Sequence, residues 1–486
     1  MMDDRKIPRT MSTQHPDNVN IPFFCEYPVI KGDDEVREAY YAFSHLGCNE
    51  QMWDYEGKDV DVYVVKKLLS RYSQFFYDVK LGKDVFLTFR IPNPSVEKSE
   101  AKVMLEVLES IPRSCDSAKI FYDDDTIPVF EVILPMTSNS AELNRVYYYY
   151  TNFVVGKANK KFFCGDITIK DWIGEFKPER INVIPLFEDR SYVLESHSIT
   201  EKFVEDKLLS YQRVFLAKSD LAMNYGGFSS DIYLRKALFN LASLEDKTGV
   251  RIYPIVGFGS PPFRGNLRPD NVLDITRKWK SVFTFTVQSA FKYDYPEKVV
   301  VRSIEKLNSI NPKLKVEDPG EEMLNLADKI AKEYRRKVLL VADIVNALSA
   351  HVPRRRARRL HVGLFGYSRD INGVQLPRAI PFCCSLYSIG LPPELIGLSN
   401  LSDEELGVVV ENYYDELNFS LRFFSRKVCH KLGLEKVYNY GALKEFGLEI
   451  GDFELAEEVY NAFRRNRVSI LTEKILQAAR LRKFLG

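Results

Sequence analysis

Short apolar segments alternate with longer amphipathic segments over residues 1–295 of the chain. The apolar segments are rich in β-branched residues, and each ends in a polar or Gly/Pro-rich cluster, which is typical of strands in a buried parallel sheet. There are eight such segments, and they end at "STQHPD", "MWDYEG", "FLTFRIPNP", "EVILPMT", "VIPLFED", "VFLAKSD", "PIVGFGS" and "FTVQSAF". The charged, periodic segments between them, such as "SSDIYLRKALFNLASLEDK", predict amphipathic helices.

Eight strand–helix units predict an α/β fold, a (β/α)8 TIM barrel, in which a parallel sheet closes on itself inside a ring of helices. Two separate α/β domains are the alternative arrangement. The barrel is favoured because almost every apolar segment carries a polar residue at its C-terminal end, and in a barrel all these ends open on the active-site face. The polar residues are His15, Asp54, Arg90, Thr137, Glu188, Asp220 and Gln288.

Long helical patterns replace the strand pattern after residue 295. We therefore expect residues 1–295 to form a catalytic barrel and residues 296–486 to form a large, mostly helical C-terminal layer packed on it. Residues 361–394 interrupt these helices and are rich in Gly, Pro and Arg. Because such segments often carry function, we predict that residues 361–394 form a loop that contributes to the active site.

The composition argues against several classes of protein. The 486 residues are 45% hydrophobic and 28% charged, which is ordinary for a globular protein. The net charge of +1 provides no overall field toward nucleic acids or membranes, and no apolar segment is long enough to span a bilayer. The N-terminus lacks the apolar core of a signal peptide, and the seven cysteines lack zinc or disulfide spacing, so we expect a reduced, cytoplasmic protein.

Glu188 and Asp220 are candidate metal ligands because they close two consecutive predicted strands. Two carboxylates on neighbouring strand ends can hold one divalent cation, with water and substrate oxygens completing its coordination, as Mg²⁺ prefers. The alternative is that both acids cap helices or form salt bridges, and their spacing alone does not decide between these interpretations.

Arginines and glycines mark the same end of the predicted barrel. Arg90 and Arg264 lie at strand ends or in the loop that follows, and Arg378 lies in the segment 361–394. A guanidinium binds carboxylate or phosphate with two hydrogen bonds, so several arginines beside a metal indicate an anionic substrate, most naturally a phosphate. Arg264 belongs to "GFGSPPFRGN", a Gly- and Pro-rich segment of the kind that closes over a reaction as a loop.

His15 and a basic run complete the candidates. A histidine exchanges protons near neutral pH, so His15 is the default general base or acid, although a lone histidine is more often structural. The run "PRRRARRLH", residues 353–361, has the charge of a nucleic-acid site but no interleaved aromatic residues. We expect it to pair with acids on another helix or subunit, or to line the anion pocket.

Six blocks of the sequence, in order along nearly the whole chain, resemble those of phosphoenolpyruvate carboxylase of the short, archaeal type. They are "RTMSTQHPDN", "MWDYEGKDVD", "EVILPMT", "GFGSPPFRGN", "VQSAFKYD" and "LHVGLFGYSR". The longer bacterial and plant members have a catalytic histidine, a metal glutamate and a metal aspartate in motifs similar to those around His15, Glu188 and Asp220. Their "RAIP" block recurs here from Arg378 to Pro381.

The resemblance implies an enzyme, a carboxy-lyase that converts phosphoenolpyruvate and bicarbonate to oxaloacetate and phosphate in anaplerotic carbon dioxide fixation. Bicarbonate would attack the phosphoryl group and give carboxyphosphate and a metal-stabilised pyruvate enolate. The resemblance also implies Mg²⁺ or Mn²⁺ as the cofactor, no biotin, a cytoplasmic homotetramer, and no nucleic-acid or membrane partner.

The same resemblance implies a role for each candidate residue. His15 would remove the proton of carboxyphosphate, and Arg264 would hold carbon dioxide and carboxyphosphate near the enolate. The roles are catalytic for His15 and Arg264, substrate-binding for Arg90, Arg378 and Gln288, and metal-binding for Glu188 and Asp220. Phe258 and Met223 depart from the pattern of the longer members, since they stand where those members have an arginine and a lysine.

Two other functions compete with this interpretation. A lyase or aldolase for a 2-oxo acid would use the same metal pair on an enolate but would not need bicarbonate. A non-catalytic RNA-binding or scaffold protein would use the basic run from Arg354 to Arg359, and its RNA binding would depend steeply on salt.

Overall fold

The computed structural model describes residues 5–56, 61–98, 101–312, 316–357, 370–371 and 373–486. Eight parallel strands form a closed barrel in sequence order, with the last strand pairing with the first. The strands are β1 (Thr10–Ser12), β2 (Glu50–Asp54), β3 (Phe86–Arg90), β4 (Glu131–Leu134), β5 (Asn182–Phe187), β6 (Tyr211–Ala217), β7 (Arg251–Gly257) and β8 (Thr284–Val287). The predicted TIM barrel is therefore confirmed, and two separate α/β domains are excluded.

Helices connect the strands and surround the barrel. They are α1 (Asp33–Ser44), α2 (Val64–Arg71), α3 (Ser73–Asp78), α4 (Ala101–Tyr122), α5 (Ser140–Tyr149), α6 (Ile169–Ile173), α7 (Arg190–Leu194), α8 (Ser196–Val204), α9 (Ser219–Tyr225), α10 (Gly227–Thr248), α11 (Val272–Lys278) and α12 (Ser289–Tyr293). None of the helices in the described ranges combines the length and the apolar character needed to cross a bilayer.

The predicted C-terminal helical layer is also present. Its helices are α13 (Glu297–Ser309), α14 (Gly320–Val338), α15 (Ala342–Ser349), α16 (Ala379–Ser388), α17 (Asp403–Leu421), α18 (Arg426–Lys431), α19 (Tyr440–Leu443), α20 (Glu454–Arg464) and α21 (Val468–Arg482). Local sequence explains the start of α17, which follows Ser402. The Ser402 hydroxyl accepts from the N–H of Glu405, while the Glu405 carboxylate accepts from the N–H of Ser402.

One continuous apolar core joins this layer to the barrel. Helix α10 packs against α14, where the Ser229 hydroxyl donates to the carbonyl of Ala327 at 2.7 Å. The Tyr334 hydroxyl of α14 donates to the carbonyl of Met223 at 3.1 Å, next to the start of α10. The division of the chain near residue 295 stays a prediction, because the same core runs through both parts.

The barrel interior has a charged end and an apolar middle. Arg213 is fully buried and forms ion pairs with Glu50 at 2.7 Å and Glu131 at 2.9 Å. Burial opposes its charge, but the two carboxylates outweigh burial and hold the pKa of Arg213 above its ordinary value. Glu50 and Glu131 are the first residues of β2 and β4, so this cluster closes the N-terminal end of the barrel. The apolar residues beyond it are Met11, Met52, Ile133, Ile184, Leu186, Phe215, Ala217 and Ile255.

The prediction of a loop over residues 361–394 needs correction. Residues 361–369 and 372 lie outside the described residues. In the remainder, β9 (Asp370–Ile371) pairs with β10 (Val374–Gln375) in a hairpin, and α16 is a helix with most of its residues buried. Its one proline, Pro381, lies in the first turn, where a helix loses nothing from a missing N–H donor. The proline that indicated a loop is therefore compatible with a helix start.

Candidate active site

A cavity of about 1060 Å³ opens at the carboxyl ends of the barrel strands. Its lining comes from the loops after β1, β2, β5, β6, β7 and β8, from the end of β3, and from the C-terminal region around residues 352–357 and 378–381. All seven predicted site residues line it: His15, Arg90, Glu188, Asp220, Arg264, Gln288 and Arg378. His15 and Arg378, which are 363 positions apart in sequence, thus line the same cavity.

His15 lies three residues after β1 and is half-buried. Its Nδ1 is 2.9 Å from the hydroxyl of Thr13, which orients the ring. The carbonyl of His15 accepts from the N–H of Asp17 at 3.1 Å and from the N–H of Ser289 at 3.3 Å. Because Ser289 begins α12, these bonds tie the histidine to the end of β8 and hold it at the cavity.

Glu188 and Asp220 occupy equivalent places after neighbouring strands. Glu188 directly follows β5, and Asp220 lies in the first turn of α9, just after β6. The strands pair in parallel, with Phe187 opposite Leu216, so both half-buried carboxylates face the same cavity. Oxygen donors of this kind suit Mg²⁺ or Mn²⁺. Within the described ranges no group of three or more His, Cys, Asp or Glu residues could hold a metal, so a cation here would take its other ligands from water and substrate.

Arg90 is held by two acids from the end of β2. Asp54 lies opposite it in the sheet and accepts from its Nε at 2.9 Å and its Nη2 at 2.8 Å, while Glu56 forms an ion pair at 3.0 Å. Burial opposes the charge of Arg90, but Asp54, Glu56 and the more distant Glu188 outweigh it and keep the pKa of Arg90 above its ordinary value. The sequence analysis assigned no role to Asp54, the last residue of β2, or to Glu56, which lies two residues beyond it.

Glu56 is a buried acid whose surroundings favour its protonated form. Burial, together with the carboxylates of Asp54 and Glu97, raises the pKa of Glu56 to about 7 against the opposing charges of Arg90 and Arg378. When Glu56 is protonated, Asp54 is the remaining carboxylate in the described part of the chain that forms an ion pair with Arg90. The affinity of this corner of the cavity for an anion therefore depends on the proton of Glu56.

Arg264 lines the cavity and is 2% exposed. Its Nη2 donates to Gln288 at 2.6 Å, its Nε to Ser219 at 3.1 Å, and its Nη1 to the carbonyl of Gly486 at 2.6 Å. The Asp17 carboxylate lies 3.3 Å from Nη1. The sequence predicted a loop that closes over the reaction. In this structure the residues on both sides of Arg264, such as Phe263 and Asn266, are buried.

Asp17 is a buried partner of Arg264 that the sequence analysis missed. It is fully buried, accepts from the N–H of Ala290 at 2.7 Å and pairs with Arg264. Burial raises the pKa of Asp17, and Arg264 opposes that rise. Its place two residues after His15 in "HPDN" was the available signal, but an acid next to a proline is also a common turn residue.

The two departures from the longer family members are buried apolar residues. Met223 is 2% exposed, and Phe258 is 1% exposed and stacks on Phe285 with ring centroids 5.5 Å apart. A different cation, Lys218, lines the cavity, but its Nζ donates to the carbonyl of Gly227 at 2.8 Å and pairs with Asp231. Lys218 therefore does not take the place of the arginine and the lysine that the longer family members have at the positions of Phe258 and Met223.

The basic run pairs with acids on α1, which is one of its predicted arrangements. Arg356 forms ion pairs with Glu35 at 2.9 Å and with Glu38 at 2.6 Å, and Arg355 donates to the carbonyl of Val19 at 2.8 Å. Arg354, Arg355 and Arg356 also line the cavity. Residues 358–361 of the run lie outside the described part of the chain.

A TIM barrel with two carboxylates, several arginines and a histidine at the carboxyl ends of its strands defines an enzyme for an anionic substrate. A sequence model of the family described as "Phosphoenolpyruvate carboxylase" matches residues 7–486. A relative named phosphoenolpyruvate carboxylase from Methanothermobacter thermautotrophicus is 52% identical over 99% of this chain and 100% of that protein. Another relative of that name, from Pyrococcus furiosus, is 49% identical over 99% of this chain and 100% of that protein. The chain belongs to the phosphoenolpyruvate carboxylase family and is an enzyme of that type.

Solved structures are more distant. A HpcH/HpaI aldolase from Desulfitobacterium hafniense DCB-2 is 13% identical and covers 62% of this chain and 95% of its own, with a TM-score of 0.33. A TM-score this low supports no argument about the fold, which is assigned from the closed barrel of eight strands.

Proposed function

We propose that the protein carboxylates phosphoenolpyruvate with bicarbonate and releases oxaloacetate and phosphate, by way of carboxyphosphate and the enolate of pyruvate. The observation that carries the proposal is the convergence of all seven candidate residues on one cavity at the carboxyl ends of the strands. Membership of the family supports the same reaction. The cavity, at about 1060 Å³, has room for both small substrates.

Arg90 and Arg378 bind the phosphate group of the substrate in this proposal. Each guanidinium offers paired donors that match a phosphate. Arg90 is already flanked by Asp54 and Glu56, so a phosphate dianion binds best when Glu56 carries a proton. Burial raises the pKa of Glu56 to about 7 and so favours this protonated form over what an exposed glutamate would show.

Glu188 and Asp220 hold the divalent cation. Their oxygens fit Mg²⁺ or Mn²⁺, and the cavity leaves room for water and substrate ligands. When bound, the cation supplies positive charge beside the oxygen that becomes the enolate oxygen. Arg90, which lies within electrostatic range of Glu188, places the phosphate near the same point.

His15 acts as the general base. Attack of a bicarbonate oxygen on phosphorus breaks the C–O–P bridge and gives carboxyphosphate and the enolate. His15 takes the proton of carboxyphosphate, whose C–O bond then breaks to release carbon dioxide and phosphate. The enolate carbon attacks carbon dioxide and forms oxaloacetate. The contact of Thr13 with Nδ1 holds the imidazole ring in place for the proton transfer.

Arg264 keeps carbon dioxide and carboxyphosphate next to the enolate. Hydrogen bonds to Gln288, Ser219 and Asp17 hold its guanidinium in a fixed position in the cavity. The packing around it also limits water, and water matters because a protonated enolate is only pyruvate. Gln288 contributes by orienting Arg264 and by lining the cavity itself.

The proposal is tested by a malate dehydrogenase-coupled assay from which phosphoenolpyruvate, Mg²⁺ and bicarbonate are omitted in turn. We expect oxaloacetate only when all three are present. Oxaloacetate formation that ignores added bicarbonate would instead favour a lyase for a 2-oxo acid. RNA binding with a steep salt dependence and no metal-dependent activity would favour the RNA-binding alternative.

Replacing Arg264→Ala should divert the enolate from oxaloacetate to pyruvate. The ratio of pyruvate to oxaloacetate should rise about tenfold or more, because loss of one charged donor at such a site removes several kcal/mol of positioning. Lactate dehydrogenase and malate dehydrogenase couplings measure the two products in parallel.

The matched control is Arg268→Ala. Arg268 is a buried arginine four residues further on that bonds Asp270 and packs on Phe419 without lining the cavity. We expect its product ratio to stay at the parental value. An unchanged ratio in Arg264→Ala would remove Arg264 from carbon dioxide retention.

Several expectations stay predictions of the family resemblance. They are the homotetramer, the cytoplasmic location, the anaplerotic role, the absence of biotin, and the choice between Mg²⁺ and Mn²⁺. Sedimentation of the purified chain and metal analysis of active fractions would address the first and the last.

A further inference from the structure

Glu394 connects the C-terminal region to the loop that carries Arg264. It lies in a short 3-10 turn, Pro393–Leu395, beyond the end of α16, and is 1% exposed. Its Oε1 accepts from the backbone N–H of Phe263 at 2.6 Å, across 131 positions of sequence. The same oxygen accepts from the hydroxyl of Tyr387 on α16. One side chain therefore bonds the backbone directly before Arg264.

The loop around Phe263 has little freedom of its own. Gly265 has a φ of 115°, and a Cβ there would come within 2.4 Å of the Phe258 ring. The carbonyl of Arg264 accepts from the N–H of Gly259 at 2.7 Å, and its N–H donates to the carbonyl of Pro261 at 2.9 Å. Because the turn is tight, a displacement of the Phe263 backbone would also displace Arg264.

Phe263 is fixed by packing on the C-terminal side. Its ring lies between Tyr334 of α14 and Phe382 of α16, with centroids 6.2 and 5.8 Å away. Phe263 is fully buried, and leaving a buried backbone N–H unpaired costs about 1–3 kcal/mol. Glu394 supplies the acceptor for that N–H.

We propose that Glu394 is a positioning residue: it holds the Phe263 backbone and thereby sets the guanidinium of Arg264 against Gln288 and Asp17. The C-terminal region thus contributes to catalysis through a residue that does not line the cavity. This inference rests on the proposed role of Arg264 in retaining carbon dioxide.

The surroundings of Glu394 suit an uncharged acid. Among the described residues no lysine or arginine forms an ion pair with it, and burial raises the pKa of Glu394 to about 7 against the opposing bonds from Tyr387 and Phe263. The titratable groups around it are Tyr334, Cys383, Tyr387, Tyr413 and Tyr438, whose own pKa values are raised by burial. The neutral amide of glutamine is therefore the matched replacement.

The test compares Glu394→Ala with Glu394→Gln. The alanine variant loses the acceptor, so its ratio of pyruvate to oxaloacetate should rise about tenfold toward that of Arg264→Ala. The glutamine variant keeps an oxygen acceptor in the same place and should restore the parental ratio within about twofold. Glu394→Asp, one methylene shorter, serves if the alanine variant does not fold, and it should shift the ratio in the same direction.

Glu131→Gln controls for general loss of stability. Glu131 is also a buried acid, but it pairs with Arg213 at the opposite end of the barrel. Its product ratio should stay parental even if its melting temperature falls. A parental ratio in Glu394→Ala or Glu394→Asp, or an equal shift in Glu131→Gln, overturns the inference.

Hydrogen exchange separates this inference from the proposed function. Peptides that cover residues 257–267 should exchange about tenfold faster in Glu394→Ala than in the parental protein or in Glu131→Gln. This readout needs no carboxylase activity. Absence of oxaloacetate from the parental enzyme would refute the proposed function alone, whereas unchanged exchange in Glu394→Ala would refute the role of Glu394 alone.

Discussion

The variant His15→Asn should form almost no oxaloacetate while still releasing pyruvate and phosphate in a bicarbonate-dependent reaction. Loss of a general base typically lowers the dependent step by about 10²–10⁴-fold. In the proposed mechanism the preceding step, attack of bicarbonate on phosphorus, uses the arginines and the carboxylate pair and does not need His15. The enolate then takes a proton and leaves as pyruvate, while carboxyphosphate hydrolyses to bicarbonate and phosphate.

The measurement is a parallel assay of oxaloacetate, pyruvate and phosphate with and without bicarbonate. His197→Asn is the control, because His197 contacts the carbonyl of Leu194 and does not line the cavity. It should keep parental rates for all three products. Full carboxylation by His15→Asn would show that another group accepts the proton.

The barrel was predictable because its determinants are local. Most strands, such as β5 at "NVIPLF" and β6 at "YQRVFLA", are short and largely apolar segments. Every strand is buried along its length except for Arg251, Tyr253 and Gly257 of β7. A parallel strand is covered on both faces, so its apolar character appears in the sequence without any knowledge of its neighbours. Once eight such segments are recognised, the closed barrel follows from their number.

The same locality explains the error at α16. The segment "AIPFCCSLYS" has too few polar residues to show a helical period, because α16 is buried on nearly all sides. The glycines and prolines on either side of the segment therefore led to the prediction of a loop. A buried helix and a buried loop differ in their tertiary contacts, and those are absent from the sequence pattern.

The positions of the site residues were predictable, but their partners were not. The carboxyl end of a strand fixes where Glu188 or Arg90 lies, since the barrel brings all these ends to one face. The ion pairs of Asp54 and Glu56 with Arg90 depend on the register of β2 against β3. The bond from Phe263 to Glu394 depends on how the C-terminal helices dock. Register and docking are set by packing over long sequence separations, so no spacing rule reveals them.

The variant Glu188→Ala should lose metal binding and carboxylation together. Glu188 and Asp220 are the carboxylates that β5 and β6 deliver to the cavity, and no cluster of three or more ligands exists among the described residues to take their place. Removing one of the two proposed protein ligands should weaken binding of the cation by about 100-fold or more and lower oxaloacetate formation by a similar factor. Because the cation can be followed by electron paramagnetic resonance of Mn²⁺, its affinity is measured separately from the rate.

Asp189→Asn is the matched control for that variant. Asp189 carries a negative charge next to Glu188, but its carboxylate caps α7 by accepting from Ser191 at 3.0 Å and also accepts from Tyr225 at 2.8 Å. If charge near the mouth of the barrel were sufficient, both variants would lose Mn²⁺ equally. We expect Asp189→Asn to bind Mn²⁺ with nearly parental affinity, because a long-range charge in water contributes little beside a direct ligand. Normal Mn²⁺ binding by Glu188→Ala would remove Glu188 from the metal site and leave the alternative that it forms a salt bridge.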